Sequence, residues 1–295
     1  MIRGNKTQRI IDEYSRPLIV IFRNEVQRYL LNVRSLFIIG LFGAWNCISL
    51  FGLVLVRGEL FPIAPGLSEL LIPPEGQEVE WVIGLSRGLY FGALTIIIAC
   101  YFGALFANDI KPGILRLYCA TPVPRSVQYF SRLITATVTT YFLILIGHLT
   151  LSIGVILIFS DIVEYSVLGK LVILFLKLQI LQIILVFFSV CIGSVVGLIT
   201  KRTEIAPVLA FMVFTISSLM LNLAQSIASD FQSFLSVLSY NYHSTALENW
   251  LISPSLNPTY TFSEHQWIIS LAIFLGVPFV LVILSIYYFQ QMDLD

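Results

Sequence analysis

Six long apolar runs decide the architecture of this chain before any single residue is considered. They cover residues 35–56, 87–106, 133–159, 168–199, 205–224 and 267–289. A helix needs roughly 20 apolar residues to cross about 30 Å of hydrocarbon, and each run is about that long or longer. Lipid offers no partner to backbone N–H and C=O groups, so an embedded segment must close its own hydrogen bonds as a helix. Composition agrees: 57% of the 295 residues are hydrophobic and only 12% are charged. Soluble domains carry about 25% charged residues. The expectation is an all-α, polytopic, multi-pass protein of the cell membrane, forming a single transmembrane domain over residues 1–295.

The short links 160–167 and 200–204 force the third, fourth and fifth spans to run antiparallel as neighbours. The fourth is longer than one crossing and must tilt or protrude. Orientation follows from lysine and arginine, which stay on the cytoplasmic side of short loops. Of the 17 lysines and arginines, only Arg57, Arg87, Lys170 and Lys177 fall on outer segments or the outer ends of spans. Arg3, Lys6, Arg9, Arg16, Arg23, Arg28, Arg34, Lys111, Arg116, Arg125, Arg132, Lys201 and Arg202 fall inside, so both termini are expected in the cytoplasm. The first outer loop is acidic by contrast, with Glu59, Glu69, Glu75, Glu78 and Glu80. Residues 1–34 are polar and basic, and they are not expected to act as a secretory signal.

Residues 17–34 carry their own helical pattern. Leu18, Phe22, Val26, Tyr29, Leu30 and Val33 recur at three- and four-residue steps, with Arg23, Asn24, Gln27, Arg28 and Arg34 opposite. A basic amphipathic helix beside a span is expected to lie in the cytoplasmic interface; the alternative is a soluble helix packed on a partner. The outer segment 225–266 is long and only moderately polar. Phe231, Phe234, Leu235 and Leu238 repeat at helical spacing, as do residues 246–251, and Pro254 and Pro258 follow. Two short helices resting on or dipping into the outer leaflet fit that pattern.

Between the second and third spans lies a polar, basic, proline-punctuated island, residues 107–132. Asn108 and Asp109 suit a helix start and Pro112 its first turn. Ile114, Leu115, Leu117 and Tyr118 then form a short apolar set, with Lys111 and Arg116 on the polar side. The run Thr121-Pro122-Val123-Pro124 ends that helix, because proline cannot continue the ladder, and a new helix restarts near Ser126. A short rigid helix tied at both ends to membrane helices can transmit a push. An ordinary solvated loop with an excess of positive charge is the plainer alternative.

The island's sequence, F-A-N-D-I-K-P-G-I-L-R-L-Y-C-A-T-P-V-P-R-S, resembles the cytoplasmic segment of type-2 ABC exporter permeases. Asp109, Gly113, Leu115, Leu117, Pro122, Val123 and Arg125 match that pattern, and Arg132 stands where such proteins often carry a basic residue leading the next helix. The order of elements is also similar over nearly the whole chain. Ser239-Tyr240-Asn241-Tyr242-His243, with Glu248-Asn249, resembles the stretch before the last span of these permeases, except that Tyr240 replaces a proline. The resemblance implies a membrane subunit working as a dimer with a second copy or a paralogue. Two separate ATPase subunits would sit on its cytoplasmic face and engage Asp109, Gly113, Leu115, Arg116, Leu117, Pro122 and Arg125. ATP and magnesium would belong to those partners.

The chain has no G-x-x-x-x-G-K-[ST] phosphate loop, H-E-x-x-H or G-x-S-x-G motif, so it is not expected to be an enzyme or to hold a cofactor or metal. No nucleic acid is expected as a partner. Cys47, Cys100, Cys119 and Cys191 lack metal-ligand or disulfide spacing. His243, Glu248, Glu264 and His265 could gather on the outer side, but they show no recognisable ligand spacing, so no metal site is expected there. Lys177 lies about 24 residues before Lys201, roughly 36 Å of helix, where it can snorkel to the outer interface rather than meet a substrate. His148 is expected to hydrogen-bond a neighbouring helix rather than serve as a ligand or proton relay. Ser189, Gly193 and Gly197 form a small-residue stripe, for packing inside one copy or at a dimer seam. Pro207 and Pro278 are either hinges or tolerated kinks. An ATP-driven exporter with a lipidic, amphipathic or peptide-like cargo is the leading expectation. An ATP-independent secondary carrier, or a membrane anchor of a larger complex, is the alternative.

Overall fold

A computed structural model of the chain describes residues 19–20, 22–27, 33–57, 95–110, 123–159, 168–226, 239–251 and 265–291. Among these residues every regular element is helical. The helices are α1 (Val33–Arg57), α2 (Thr95–Asp109), α3 (Arg125–Ile158), α4 (Leu168–Thr200), α5 (Ile205–Ser226), α6 (Tyr240–Leu251) and α7 (Gln266–Gln291). Residues 22–27 form a further helical stretch ahead of α1. A helix therefore lies on each of the six apolar runs. α3, α4 and α7 are long and apolar enough to cross a membrane, while α1, α2 and α5 contribute shorter apolar helices. The chain is thus a multi-pass helical membrane protein.

Pairwise contacts fix the direction of each helix. The Asn46 amide donates to the Gly147 carbonyl at 3.1 Å and Leu50 meets Gly154, so α1 and α3 run parallel. Tyr129 meets Ser194 while His148 meets Gln179, so α3 and α4 are antiparallel. Cys100 reaches the Pro207 carbonyl and Gly103 faces Ala206, which sets α5 against α2. Lys201 lies over the Tyr288 ring and Phe188 meets Phe274, so α4 and α7 are parallel. Helices α1, α3 and α5 therefore run one way and α2, α4 and α7 the other. Residues 109, 125–132, 200–205 and 288–291 gather at one end; Phe159, Trp250 and Trp267 lie toward the other.

α4 shows almost no apolar-to-polar bias around its axis and packs against α2, α3, α5, α6 and α7, with one side of its first half left exposed. A helix without a polar face has no solvated side, so each of its faces meets either another helix or lipid. Its small-residue stripe meets α2 inside this chain. Ala99, Gly103 and Ala107 of α2 form a matching stripe, and a Cβ on Gly197 would stand 2.6 Å from the Gly103 carbonyl oxygen. A Cβ on Gly193 would run into the Ala99 carbonyl. The two backbones approach that closely only because glycine lacks the atom. Faces turned away from the bundle are apolar too, such as Phe142, Ile146, Leu149, Ile153 and Leu157 along α3. Exposed stripes of that length belong in lipid rather than in water.

Several expectations are refined. The third helix begins at Arg125, ahead of the apolar run, with Pro124 just before it in an extended conformation. Asn108 and Asp109, read as a helix start, instead end α2. Of the outer segment, residues 231–238 lie outside the described residues, as do Trp81, Arg87, Pro254 and Pro258. α6 starts at Tyr240, six residues before the predicted repeat, and dips into the bundle. Its Tyr240 ring lies among Phe188, Phe214 and Phe274, and its far end stacks Trp250 on Trp267 at 4.2 Å. Phe274 is seven residues below Trp267, about 10 Å along α7. The Tyr240 N–H donates to the Ser217 hydroxyl at 2.6 Å, a bond that a proline at this position could not make. Pro278 lies buried inside α7, so the Phe274 carbonyl receives no intrahelical N–H.

The α2–α4 seam gives a direct prediction. Gly193→Val should destabilise the detergent-solubilised protein by about 1–3 kcal/mol through overpacking. Gly276→Ala, where nothing lies within 4 Å of the added atom, should be neutral or stabilising by about 0.5–1 kcal/mol. Thermal unfolding of the two variants beside the parent measures the difference.

Candidate functional site

The first two turns of α3 carry a polar stripe on an otherwise apolar helix. Arg125, Tyr129 and Arg132 follow one another at steps of four and three residues, so they share one face. That face looks into the end of the bundle where α2 finishes and where α4 and α7 terminate.

Arg132 is the centre of the stripe. Its Nε lies 3.2 Å from Oε1 of Glu25, and its Nη1 lies 3.4 Å from Oδ2 of Asp109. All three residues are buried, with at most 4% of their surface exposed. One guanidinium thereby joins the helical stretch 22–27, the last residue of α2 and the start of α3. Asp109 needs such a partner doubly. It is out of water, and it stands at a helix C-terminus, where the backbone dipole disfavours an anion. Arginine suits the position because its planar fork can serve two carboxylates at once.

One turn earlier, the Ser194 hydroxyl donates to the Cys191 carbonyl at 2.8 Å and accepts the Tyr129 hydroxyl at 2.9 Å. The Tyr129 ring meets Phe106 of α2 and Phe289 of α7 edge-on or tilted. At the first turn, Arg125 donates to the Gln290 carbonyl at 3.3 Å. The Gln128 side chain folds back to the Val123 carbonyl at 2.8 Å, which steadies the entry into α3. α2, α4, α7 and the segment ahead of α1 are thus all fastened to two turns of one helix. The arrangement is a mechanical joint.

The joint contains three of the residues singled out from the sequence, Asp109, Arg125 and Arg132. Gly113, Leu115, Arg116, Leu117 and Pro122, with Cys119, lie outside the described residues. Glu25 was missed by sequence reasoning, although a signal existed. It falls three residues after Phe22 and four before Tyr29, so it interrupts the apolar face of a basic helix, and an acid there requires a buried cation. Phe22, Ile19 and Val20 are turned outward instead, as contact with lipid would have them.

A second polar group lies deeper. His148 of α3 bonds the Gln179 amide of α4 at 3.1 Å, as expected of a histidine between helices. Gln182, one turn further along α4, is 1% exposed and is its other polar neighbour. His243 of α6 bonds the Ser270 hydroxyl of α7 at 2.9 Å, and His265 is exposed at the start of α7. Glu264 lies outside the described residues. No group of three or more His, Cys, Asp or Glu side chains gathers around a metal-sized space among the described residues.

The joint predicts coupled energetics. Arg132→Gln strands two buried carboxylates and should cost about 3–5 kcal/mol. Adding Glu25→Gln should restore part of that loss, so a double-mutant cycle read by thermal unfolding should show an interaction of about 0.5–3 kcal/mol. Strict additivity would separate Glu25 from the joint. No protein-family model matches this sequence, and no curated protein matches it.

Proposed function

We propose that this chain is the transmembrane subunit of an ATP-driven exporter of the type-2 ABC kind. The observation that carries this reading is the joint around Arg132. Both ends of the polar island, Asp109 at one and Arg125 to Arg132 at the other, are fastened to the helices that would have to move. A force applied to residues 110–124 has a stiff route into α2, α3, α4 and α7. In this reading six helices span the membrane, both termini are cytoplasmic, and two copies of the chain, or this chain and a paralogue, form the path. Each island inserts into an ATPase subunit that supplies ATP hydrolysis with magnesium; Leu115 and Leu117 fill the apolar contact, and Gly113, Arg116 and Pro122 shape it. The cargo is lipidic, amphipathic or peptide-like, in keeping with the apolar interior.

Co-purification with a phosphate-loop ATPase from the native membrane tests this. Leu115→Asp with Leu117→Asp should release the ATPase while leaving the melting temperature unchanged. Arg132→Gln should leave the ATPase bound but loosen hydrolysis from cargo flux in sealed vesicles. Unchanged association and transport in the double aspartate variant would defeat the assignment.

One observation favours the competing reading of an ATP-independent carrier. His148, Gln179 and Gln182 place polar side chains deep in the bundle, where burial is costly and function is a common reason for it. If that cluster carries cargo or protons, Gln182→Leu should abolish flux in vesicles that contain no nucleotide. Under the exporter reading, nucleotide-free vesicles show no flux to abolish.

A further inference from the structure

A groove runs between α4 and α7 at the end of the bundle that holds Arg132. It encloses about 380 Å³, within the range of sites that hold a small ligand. Its walls are Val195, Leu198 and Ile199 on one side and Leu281, Leu284 and Tyr288 on the other. Ile199, Leu284 and Tyr288 are all exposed, so the groove opens outward from the bundle, into the surrounding hydrocarbon.

The mouth of the groove is cationic. Lys201 Nζ sits 5.8 Å from the centre of the Tyr288 ring, which lines the groove. Arg202 follows it, exposed. The turn's acidic residue, Glu204, accepts the Thr203 hydroxyl at 2.7 Å. Lys201 also has an unusual backbone. Its φ is 53°, the left-handed conformation, and its N–H caps α4 on the Gly197 carbonyl at 3.0 Å. Glycine is the usual residue at that position, because a side chain there is strained. A lysine is thus held where glycine would fit better, with its ammonium laid against the groove.

We infer that this groove binds an anionic phospholipid, with an acyl chain along α4 and α7 and the phosphate at Lys201 and Arg202. Apolar walls, an opening toward lipid and cations at one end match the two halves of such a molecule. The site is separate from the island and does not depend on what, if anything, drives transport.

The full chain, with any ATPase that accompanies it, is placed in nanodiscs of phosphatidylcholine doped with phosphatidylglycerol. Photoactivatable forms of each lipid are then cross-linked and mapped. The phosphatidylglycerol probe should label peptides of α4 and α7 in preference to the phosphatidylcholine probe. Lys201→Gly should cut that labelling about fivefold, the value of one cation near a lipid surface, while the melting temperature holds or rises. A lysine kept only for the fold would give the opposite pair of results. Leu284→Trp, which fills the groove, should lower labelling by both probes. Lys170→Ala, at the far end of α4, should leave labelling unchanged. Equal labelling by the two probes, or parental labelling in Lys201→Gly, overturns the inference. So does a disulfide between two copies carrying Leu284→Cys, which would assign the groove to a protein interface.

Discussion

A guanidinium cannot be taken out of water alone. Its desolvation costs several kcal/mol even after the surroundings relax, and only close opposite charge brings that back. Arg132 is 4% exposed at the edge of an apolar bundle, so carboxylates must come to it. The two that do so come from different parts of the chain, 107 and 23 residues away along the sequence. The segment before α1 and the end of α2 are drawn to the same point for that reason. The position of the first helical stretch, the end of α2 and the start of α3 are consequences of one buried charge.

Beyond that end of the bundle, different forces take over. Between α2 and α4 the contact is backbone on backbone, made possible by Ala99, Gly103 and Ala107 facing Gly193 and Gly197. Around Tyr240 it is aromatic, with Phe188, Phe214 and Phe274 in edge-on or tilted contact. In lipid no hydrophobic drive holds helices together, so close packing and interhelical hydrogen bonds carry the assembly. The bonds from Asn46 to Gly147, from His148 to Gln179 and from His243 to Ser270 each join two helices.

The helices themselves were legible in the sequence, because lipid demands long apolar runs and little else. The small-residue stripe and the interhelical bond of His148 were legible for similar reasons: each is a departure from an otherwise uniform pattern. Directions followed from link lengths. The depth of α6 was not legible. Its composition, with Asn241, His243, Glu248 and Asn249, resembles that of a surface helix, and only the aromatic nest that receives Tyr240 shows why it sinks. Glu25 was legible as an acid that breaks an apolar face, but not the cation it meets. The two partners of Arg132 are distant in sequence, and no local pattern announces such a pairing.

α4 has 33 residues, about 50 Å of helix, against some 30 Å of hydrocarbon. Its lipid-facing stripe of Val172, Ile173, Leu176 and Ile180 is interrupted by the exposed Lys177, roughly 36 Å from Lys201. Both ammonium groups have to stay wet, so the interval between them fixes how deep the rod can sit and how far it can lean. The thinner the hydrocarbon relative to that interval, the further the rod has to lean to keep both ends in water.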